Sequence, residues 1–269
     1  MGRLVRAAGG ASPADAAQLS PAYRMMLAGL RPIFPPTAGV LVSFEDGAWG
    51  GFLAENRIFE DIFRGVSGTD LHQRAAWGDE VHRAFDYLRD EFPALAYLTE
   101  LLVTDVVLLK SDSTGGGSAS QLPGLVVISP GPGWTTRDFA ETLVHEMTHL
   151  NLFVLDMAYR LYRKTSDELA LDEHRVVSAV RVGELRPFDK AFHSAVVAVP
   201  LMYMQQARGE TALVDAFASS LINCCEGLEA KKDRFTPYGQ ILLAELSSFA
   251  RNLDYTMVES GFTRTDLAA

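Results

Sequence analysis

Apolar residues recur every three or four positions over most of the chain, in runs separated by stretches rich in proline and glycine. This spacing is typical of amphipathic helices, and the breaks are typical of the turns between them. The N-terminal third is therefore predicted to be helical, and it contains no recognisable catalytic motif. The helices predicted there cover residues 13–30, 54–63 and 79–102, the last with a break at Pro93, and residues 31–39 and 47–51 separate them.

Two short runs rich in β-branched residues, 103–109 and 125–129, predict strands that pair as a hairpin or as a split pair. The loop between them, residues 111–124, contains three consecutive glycines at 115–117 among several serines. Such a loop is either a flexible connector or a mobile lid beside a site. The sequence alone leaves both interpretations open.

A long helix follows the Pro/Gly-rich turn at residues 130–133. Thr135 or Thr136 can cap its start, and the helical pattern runs to about Tyr162. Its apolar residues lie on more than one face, which is typical of a helix buried in the centre of a domain. Further helices are predicted over residues 172–182, 189–208, 211–228 and 238–257.

These elements predict a mainly α (α+β) fold, in which one helical domain over residues 1–269 includes a small β-hairpin or sheet and a central buried helix. Its N-terminal part (1–102) is helical. The strands and the central helices occupy residues 103–208, and the C-terminal helices occupy residues 209–269.

Composition narrows the class of protein. With 48% hydrophobic residues, the chain can bury a core, and its net charge of −10 disfavours nucleic acid and anionic membranes as partners. The two cysteines, Cys224 and Cys225, are adjacent and form no disulfide framework. The longest apolar stretches, such as 195–204, fall short of the roughly 20 residues that span a bilayer, and residues 1–10 lack the apolar core of a signal peptide. We expect a soluble, cytoplasmic protein. The sequence does not predict its oligomeric state.

The central helix carries the motif His145-Glu146-Met147-Thr148-His149, which is a His-Glu-x-x-His pattern. On a helix, His145 and His149 lie about one turn apart and about 40° around the axis, so both imidazoles can reach one cation. Glu146 can then stand beside the cation as a base or as a hydrogen-bond acceptor. Burying these three groups without a partner would be costly. The motif therefore predicts a metal site.

The third ligand decides the chemistry, because two ligands do not complete a catalytic site. The extended three-histidine pattern of some proteases is excluded, since Leu152 and Leu155 occupy the positions of its glycine and its third histidine. A zinc peptidase with a downstream carboxylate ligand would have to use Glu168, Glu173 or Glu184. For each of these, a solvated surface charge is the simpler interpretation.

Four other histidines are candidates. His72, His82 and His174 stand among charged residues and are predicted to lie on the surface. His193 differs, because Phe192 precedes it and an apolar run at 195–199 follows it, which places it near the core. A core histidine is either satisfied by a backbone partner or acts as a ligand, and both interpretations remain open for His193.

Three stretches resemble a known family, the 2-oxoglutarate-dependent peptide β-hydroxylases that carry a His-Glu-x-x-His motif and are encoded in peptide-modification gene clusters. They are residues 117–124 leading into a strand, residues 141–149 around the motif, and Arg186-Pro187 followed by Phe192-His193. Together they span about residues 115–204.

The resemblance implies an iron site with His145, His149 and His193 as ligands, which binds 2-oxoglutarate and O2 and hydroxylates the β-carbon of a residue in a ribosomally made precursor peptide. The distal carboxylate of 2-oxoglutarate would bind an arginine, Arg186 or alternatively Arg181, although either could instead form a surface salt bridge. Glu146 would orient a ligand.

Two alternatives remain beside this interpretation. In a zinc metallopeptidase acting on a peptide, Glu146 would be the general base. In a catalytically silent peptide-binding protein, the motif would form a structural zinc site, although such sites normally have four ligands.

Overall fold

The computed structural model describes residues 18–256 and Val258, and over these residues the fold is mainly α with a small mixed sheet, as predicted. Residues 13–17 and Met257, at the outer ends of two predicted helices, lie outside the described residues. The α-helices of the described part are α1 (Leu19–Leu30), α2 (Ala48–Glu55), α3 (Leu71–Glu91), α4 (Pro93–Leu102), α5 (Thr136–Tyr159), α6 (Ser166–Leu169), α7 (Phe188–Ala207), α8 (Thr211–Glu229) and α9 (Pro237–Asn252).

Four strands form one sheet in the order β1-β2-β4-β3, and two more form a hairpin. The strands are β1 (Leu41–Phe44), β2 (Asp105–Leu108), β3 (Gly115–Gly117), β4 (Leu125–Ser129), β5 (Val176–Val177) and β6 (Leu185–Arg186). β1, β2 and β4 are parallel, whereas β3 pairs antiparallel with β4 at the edge of the sheet. β5 and β6 are antiparallel.

The two strands predicted from sequence are a split pair and not a hairpin. β2 and β4 lie side by side and parallel, with Val106 opposite Val126. Parallel neighbours need a long crossover between them, and the segment from Leu109 to Gly124 supplies it. This segment, predicted to be a connector or a lid, contains the edge strand β3.

The chain divides into two compact units, which in the described part are residues 18–154 and residues 155–256 with Val258. The boundary falls within α5. The single domain expected over residues 1–269 stays a prediction.

The first unit is built around the sheet. β2 and β4 are buried along their whole length, and one apolar cluster packs on residues of both strands. Its buried members are Trp49, Leu53, Phe63, Val107, Leu109, Leu122, Leu125 and Val127.

A buried polar network ties three elements of this unit together. Arg31, which follows α1, forms an ion pair with Asp105 of β2, and both side chains are fully buried. Trp49 of α2 donates to Asp105 Oδ1 at 3.0 Å, and Thr104 donates to Oδ2 at 2.8 Å. The buried carboxylate is therefore both paired and hydrogen-bonded, as a charge in a protein interior must be.

The prediction of a helix over residues 54–63 was wrong, as was that of a break at 47–51. The helix α2 ends at Glu55, and Arg57 and Phe59 have φ values of 54° and 69°, which an α-helix does not allow. Gly50 lies inside α2, at a point where an added Cβ would collide with the backbone of Glu45. This glycine permits close packing and does not end the helix.

The helix predicted over residues 79–102 is two helices, and the predicted break at Pro93 is confirmed. Pro93 occupies the first turn of α4, where its missing N–H costs nothing. α3 starts earlier than predicted, at Leu71, because Asp70 and Gln73 form a capping box.

The helix predicted over residues 172–182 was also wrong. A 3-10 turn at Asp172–His174 leads into β5, and Gly183 has a φ of 79° in the turn toward β6. The adjacent β-branched residues Val176 and Val177 favour a strand. The three following helices, α7, α8 and α9, match their predictions to within a few residues, except that α9 ends at Asn252, where Leu253 is left-handed.

Among residues 18–256, no helix has the length and the apolar character that a bilayer crossing requires.

Candidate metal centre

The start of α5 is set by local hydrogen bonds. Asp138 accepts from the backbone N–H and from the hydroxyl of Thr135, each at 2.7 Å. The side chain thus stabilises the first turn, where a carboxylate also interacts favourably with the helix dipole. From there α5 continues through the motif without interruption to Tyr159, three residues short of the predicted end.

The two motif histidines lie close together on α5. Their Nε2 atoms are 3.2 Å apart, and both side chains are half-buried. Two imidazoles that bind one cation at about 2.0–2.1 Å hold their nitrogens about 3.3–3.4 Å apart in tetrahedral geometry, and about 2.9 Å apart at a right angle. The distance between His145 and His149 lies between these values, so the pair fits one metal ion.

Glu146 lies on the same helix but is almost completely buried, with 3% of its surface exposed. Its Oε2 accepts a hydrogen bond from Ser118 Oγ at 2.7 Å, and its Oε1 lies 3.8 Å from Nε2 of His145. Burial raises the pKa of Glu146 to about 7, and the hydrogen bond from Ser118 opposes this shift. The first unit therefore brings together two imidazoles and a carboxylate that stands beside one of them.

His193 lies on α7 in the second unit and is buried, as expected from its apolar neighbours. Burial, together with the positive charges of Lys190 and Arg186, lowers the pKa of His193 to about 3. The imidazole is therefore neutral at physiological pH, which is the form that binds metals. Its assignment as the third ligand stays a prediction. Over the described residues, no three His, Cys, Asp or Glu side chains are grouped in a way that could hold a metal ion.

The two candidate arginines differ sharply. Arg181 is exposed and forms an ion pair with Glu184, as its surface interpretation predicted. Arg186 is half-buried, and no hydrogen bond or ion pair joins its side chain to the described part of the chain. Burial lowers the pKa of Arg186, the charge of Arg181 adds to that effect, and the charges of Glu184 and Asp189 oppose it. Arg186 therefore lacks the close carboxylate contact that Arg181 makes, and Glu184 and Asp189 act on it only from further away.

The three carboxylates considered as zinc ligands are exposed, as their surface interpretation predicted. Glu168 forms a capping box with Thr165 at the start of α6. Glu173 lies 3.2 Å from Nε2 of His174, and Glu184 pairs with Arg181.

Of the other histidines, His72 and His82 are exposed on α3, as predicted. The prediction of a surface position for His174 was wrong, because its side chain is 1% exposed. Its Nδ1 accepts a hydrogen bond from Nε of Arg234 at 3.3 Å, so a distant part of the chain covers it. Charged neighbours in sequence do not reveal such a partner.

Cys224 and Cys225 are buried free thiols on α8.

Sequence reasoning missed the surroundings of two residues, one in each unit. Ser118 lies in a stretch quoted for the family resemblance, but no pattern pointed to its contact with Glu146, 28 positions away. Tyr162 was interpreted only as a helix end. Its ring packs in the second unit against Phe188, Phe192 and Phe235, and its buried hydroxyl has no hydrogen-bond partner among the described residues.

Replacing Tyr162 with phenylalanine is expected to raise the free energy of unfolding by about 1 kcal/mol, because a buried hydroxyl without a partner costs about 1–3 kcal/mol. Urea unfolding of the two proteins measures the difference. A Tyr162→Phe protein that is less stable than wild type by 1 kcal/mol or more would show that the hydroxyl has a partner.

Comparison with protein-family models gives no match, and no curated protein is significantly similar in sequence to the chain.

Proposed function

We propose that this chain is a cytoplasmic Fe(II)- and 2-oxoglutarate-dependent dioxygenase that hydroxylates the β-carbon of a residue in a ribosomally made precursor peptide. One observation carries the choice of co-substrate. Arg186 is a half-buried guanidinium that forms no ion pair with the described residues, while the charges of Glu184 and Asp189 act on it from further away, and its own charge lowers the pKa of His193. A carboxylate is the ligand that such a guanidinium binds best, through two parallel hydrogen bonds.

The motif residues support the metal part of the proposal. His145 and His149 have the spacing of two ligands to one ion, and His193, the third ligand implied by the family resemblance, is neutral. Three neutral imidazoles leave the charge of the ion uncompensated, which favours a chelating dianion such as 2-oxoglutarate.

Iron with 2-oxoglutarate and O2 supplies the oxidation: one oxygen atom enters the peptide C–H bond, and the other enters 2-oxoglutarate, which leaves as succinate and CO2. In this proposal Arg186 binds the distal carboxylate of the co-substrate. Glu146 orients a ligand of the metal site through its Oε1. The surrounding protein positions the target C–H bond and excludes water.

Binding of 2-oxoglutarate to the Fe(II)-loaded protein tests the proposal. Under anaerobic conditions we expect a weak visible charge-transfer band that grows as 2-oxoglutarate is added. Arg186→Ala should raise the dissociation constant for 2-oxoglutarate on the order of 10- to 100-fold, because a hydrogen-bonded charge contact contributes about 1.5–3 kcal/mol. Iron affinity should change little.

Arg181→Ala is the matched control, since Arg181 is a nearby arginine in an exposed ion pair. Exposed pairs contribute about 0–1 kcal/mol, so its dissociation constant should stay within about 5-fold of wild type. A wild-type protein that gives no band and binds zinc tightly would reject the dioxygenase. Equal affinities in Arg186→Ala and wild type would reject the role of Arg186.

A zinc metallopeptidase is the second candidate, and Glu146 is the observation that favours it. The carboxylate stands 3.8 Å from Nε2 of His145, with its pKa raised by burial to about 7, as a general base requires. Zinc would lower the pKa of the attacking water to about 7, and Glu146 would accept its proton. Against this candidate, Glu168, Glu173 and Glu184 are exposed and lie beside other partners.

A further inference from the structure

The edge strand β3 lies directly against Glu146. A Cβ at Gly116 would stand 2.7 Å from Oε1 and 2.8 Å from Cγ of Glu146, and 2.8 Å from Cγ2 of Thr142. At these distances an added Cβ would force the side chains of Glu146 and Thr142 to shift, so glycine lets the strand pack directly against them. The next residue, Gly117, faces the opposite side of the sheet, toward Phe59 and Phe63.

Ser118, directly after β3, holds one oxygen of the same carboxylate. Its hydroxyl donates to Oε2 of Glu146 at 2.7 Å. The other oxygen, Oε1, lies 3.8 Å from Nε2 of His145, the nitrogen that would bind the metal. The backbone at Gly116 thus leaves the carboxylate no room to move toward the strand, and the hydrogen bond from Ser118 fixes one of its oxygens.

We propose that Gly116 and Ser118, together the β3 clamp, are positioning residues that fix the Glu146 carboxylate so that Oε1 faces the metal-binding nitrogen of His145. The inference rests on the metal site of the proposed function, but not on the choice between iron and zinc. Neither residue is a catalytic residue, because each acts through Glu146.

Loss of the Ser118 hydroxyl would leave Oε2 without its donor in a buried site, so that the carboxylate could rotate. Outer partners of metal ligands typically contribute about 10- to 100-fold in metal affinity. Since Ser118 acts through Glu146, we expect Ser118→Ala to weaken metal binding by about 10-fold, at the low end of that range. Gly116→Ala should have a larger effect, because the added Cβ displaces the carboxylate itself.

The experiment titrates the full, metal-free chain with Co(II) and records both the affinity and the visible spectrum, which reports the geometry of the ion. Ser118→Ala should weaken binding and change the spectrum, and Ser118→Thr, which keeps a hydroxyl, should restore both. Ser120→Ala is the matched control, since Ser120 is an exposed serine of the same segment whose side chain contacts its neighbour Gln121. It should behave as wild type.

Gly78→Ala is the control for the glycine variant, because Gly78 lies in α3 with nothing within 4 Å of an added Cβ. If Gly116→Ala does not fold, the serine variants decide. A Ser118→Ala protein that binds Co(II) with the affinity and spectrum of wild type would overturn the β3 clamp and leave the metal site standing. A wild-type protein that binds no Co(II) would overturn the metal site and the clamp together.

Discussion

Iron is expected to be lost from the His193→Ala protein as completely as from the His149→Ala protein. His193 is buried and burial lowers its pKa to about 3, so as a ligand its imidazole would bind the ion at neutral pH without first releasing a proton. Removing a direct ligand should cost more than the about 10- to 100-fold typical of an outer partner. Iron per chain, measured after gel filtration of protein reconstituted without oxygen, gives the result.

The carboxylates rejected as ligands provide the controls. Glu168→Ala, Glu173→Ala and Glu184→Ala should keep a full complement of iron, because all three side chains are exposed. Glu168→Ala will lose a capping box at α6, so its folding should be checked by circular dichroism. Iron retained in His193→Ala and lost from one of the glutamate variants would move the third ligand to that carboxylate.

The Glu146→Gln substitution should distinguish the two candidate functions, because it should lower a rate of peptide hydrolysis by about two orders of magnitude or more and leave part of the 2-oxoglutarate turnover. Glutamine keeps the shape of the side chain and an oxygen that accepts from Ser118, but it cannot accept a proton from water. A general base contributes about 10²- to 10⁴-fold, so any peptide hydrolysis should fall by that factor. Turnover of 2-oxoglutarate should persist in part, because in the proposed function Glu146 orients a ligand and transfers no proton.

Succinate formation and peptide cleavage should be measured on the same preparations. Succinate from wild type and, at a reduced rate, from Glu146→Gln would support the dioxygenase. Cleavage by wild type that disappears in Glu146→Gln, with no succinate from either protein, would decide for the peptidase.

Long elements with strong local patterns were the predictable part of the fold. The long helix α5 and the helices α7, α8 and α9 follow apolar periodicity, and β4 follows a continuous β-branched run. The errors lie where the local pattern does not report packing or backbone conformation. Gly50 lies inside a helix where it packs closely on the backbone of Glu45, and residues 56–63 include two left-handed residues that no local pattern reveals. The strands β1 and β3 are too short to show a period of two.

The residues of the candidate metal site divide in the same way. His145, Glu146 and His149 lie on one helix, where fixed spacing predicts their proximity. The contact between Ser118 and Glu146 joins residues 28 positions apart and follows the edge strand β3, which no pattern in the sequence predicts. The contrast between Arg181 and Arg186 was equally invisible in sequence, because it depends on which guanidinium lies within ion-pair distance of a carboxylate.

The close approach of β3 to α5 changes what must be transplanted if this motif is to be moved into another protein. A transplanted helix that carries His-Glu-x-x-His would supply both imidazoles, but its glutamate side chain could adopt several rotamers. A designer would also have to supply a backbone strand without a side chain at the point of contact, followed two residues later by a hydroxyl. The smallest unit that could be transferred is therefore a helix together with a strand, and the strand must carry glycine where it contacts the glutamate.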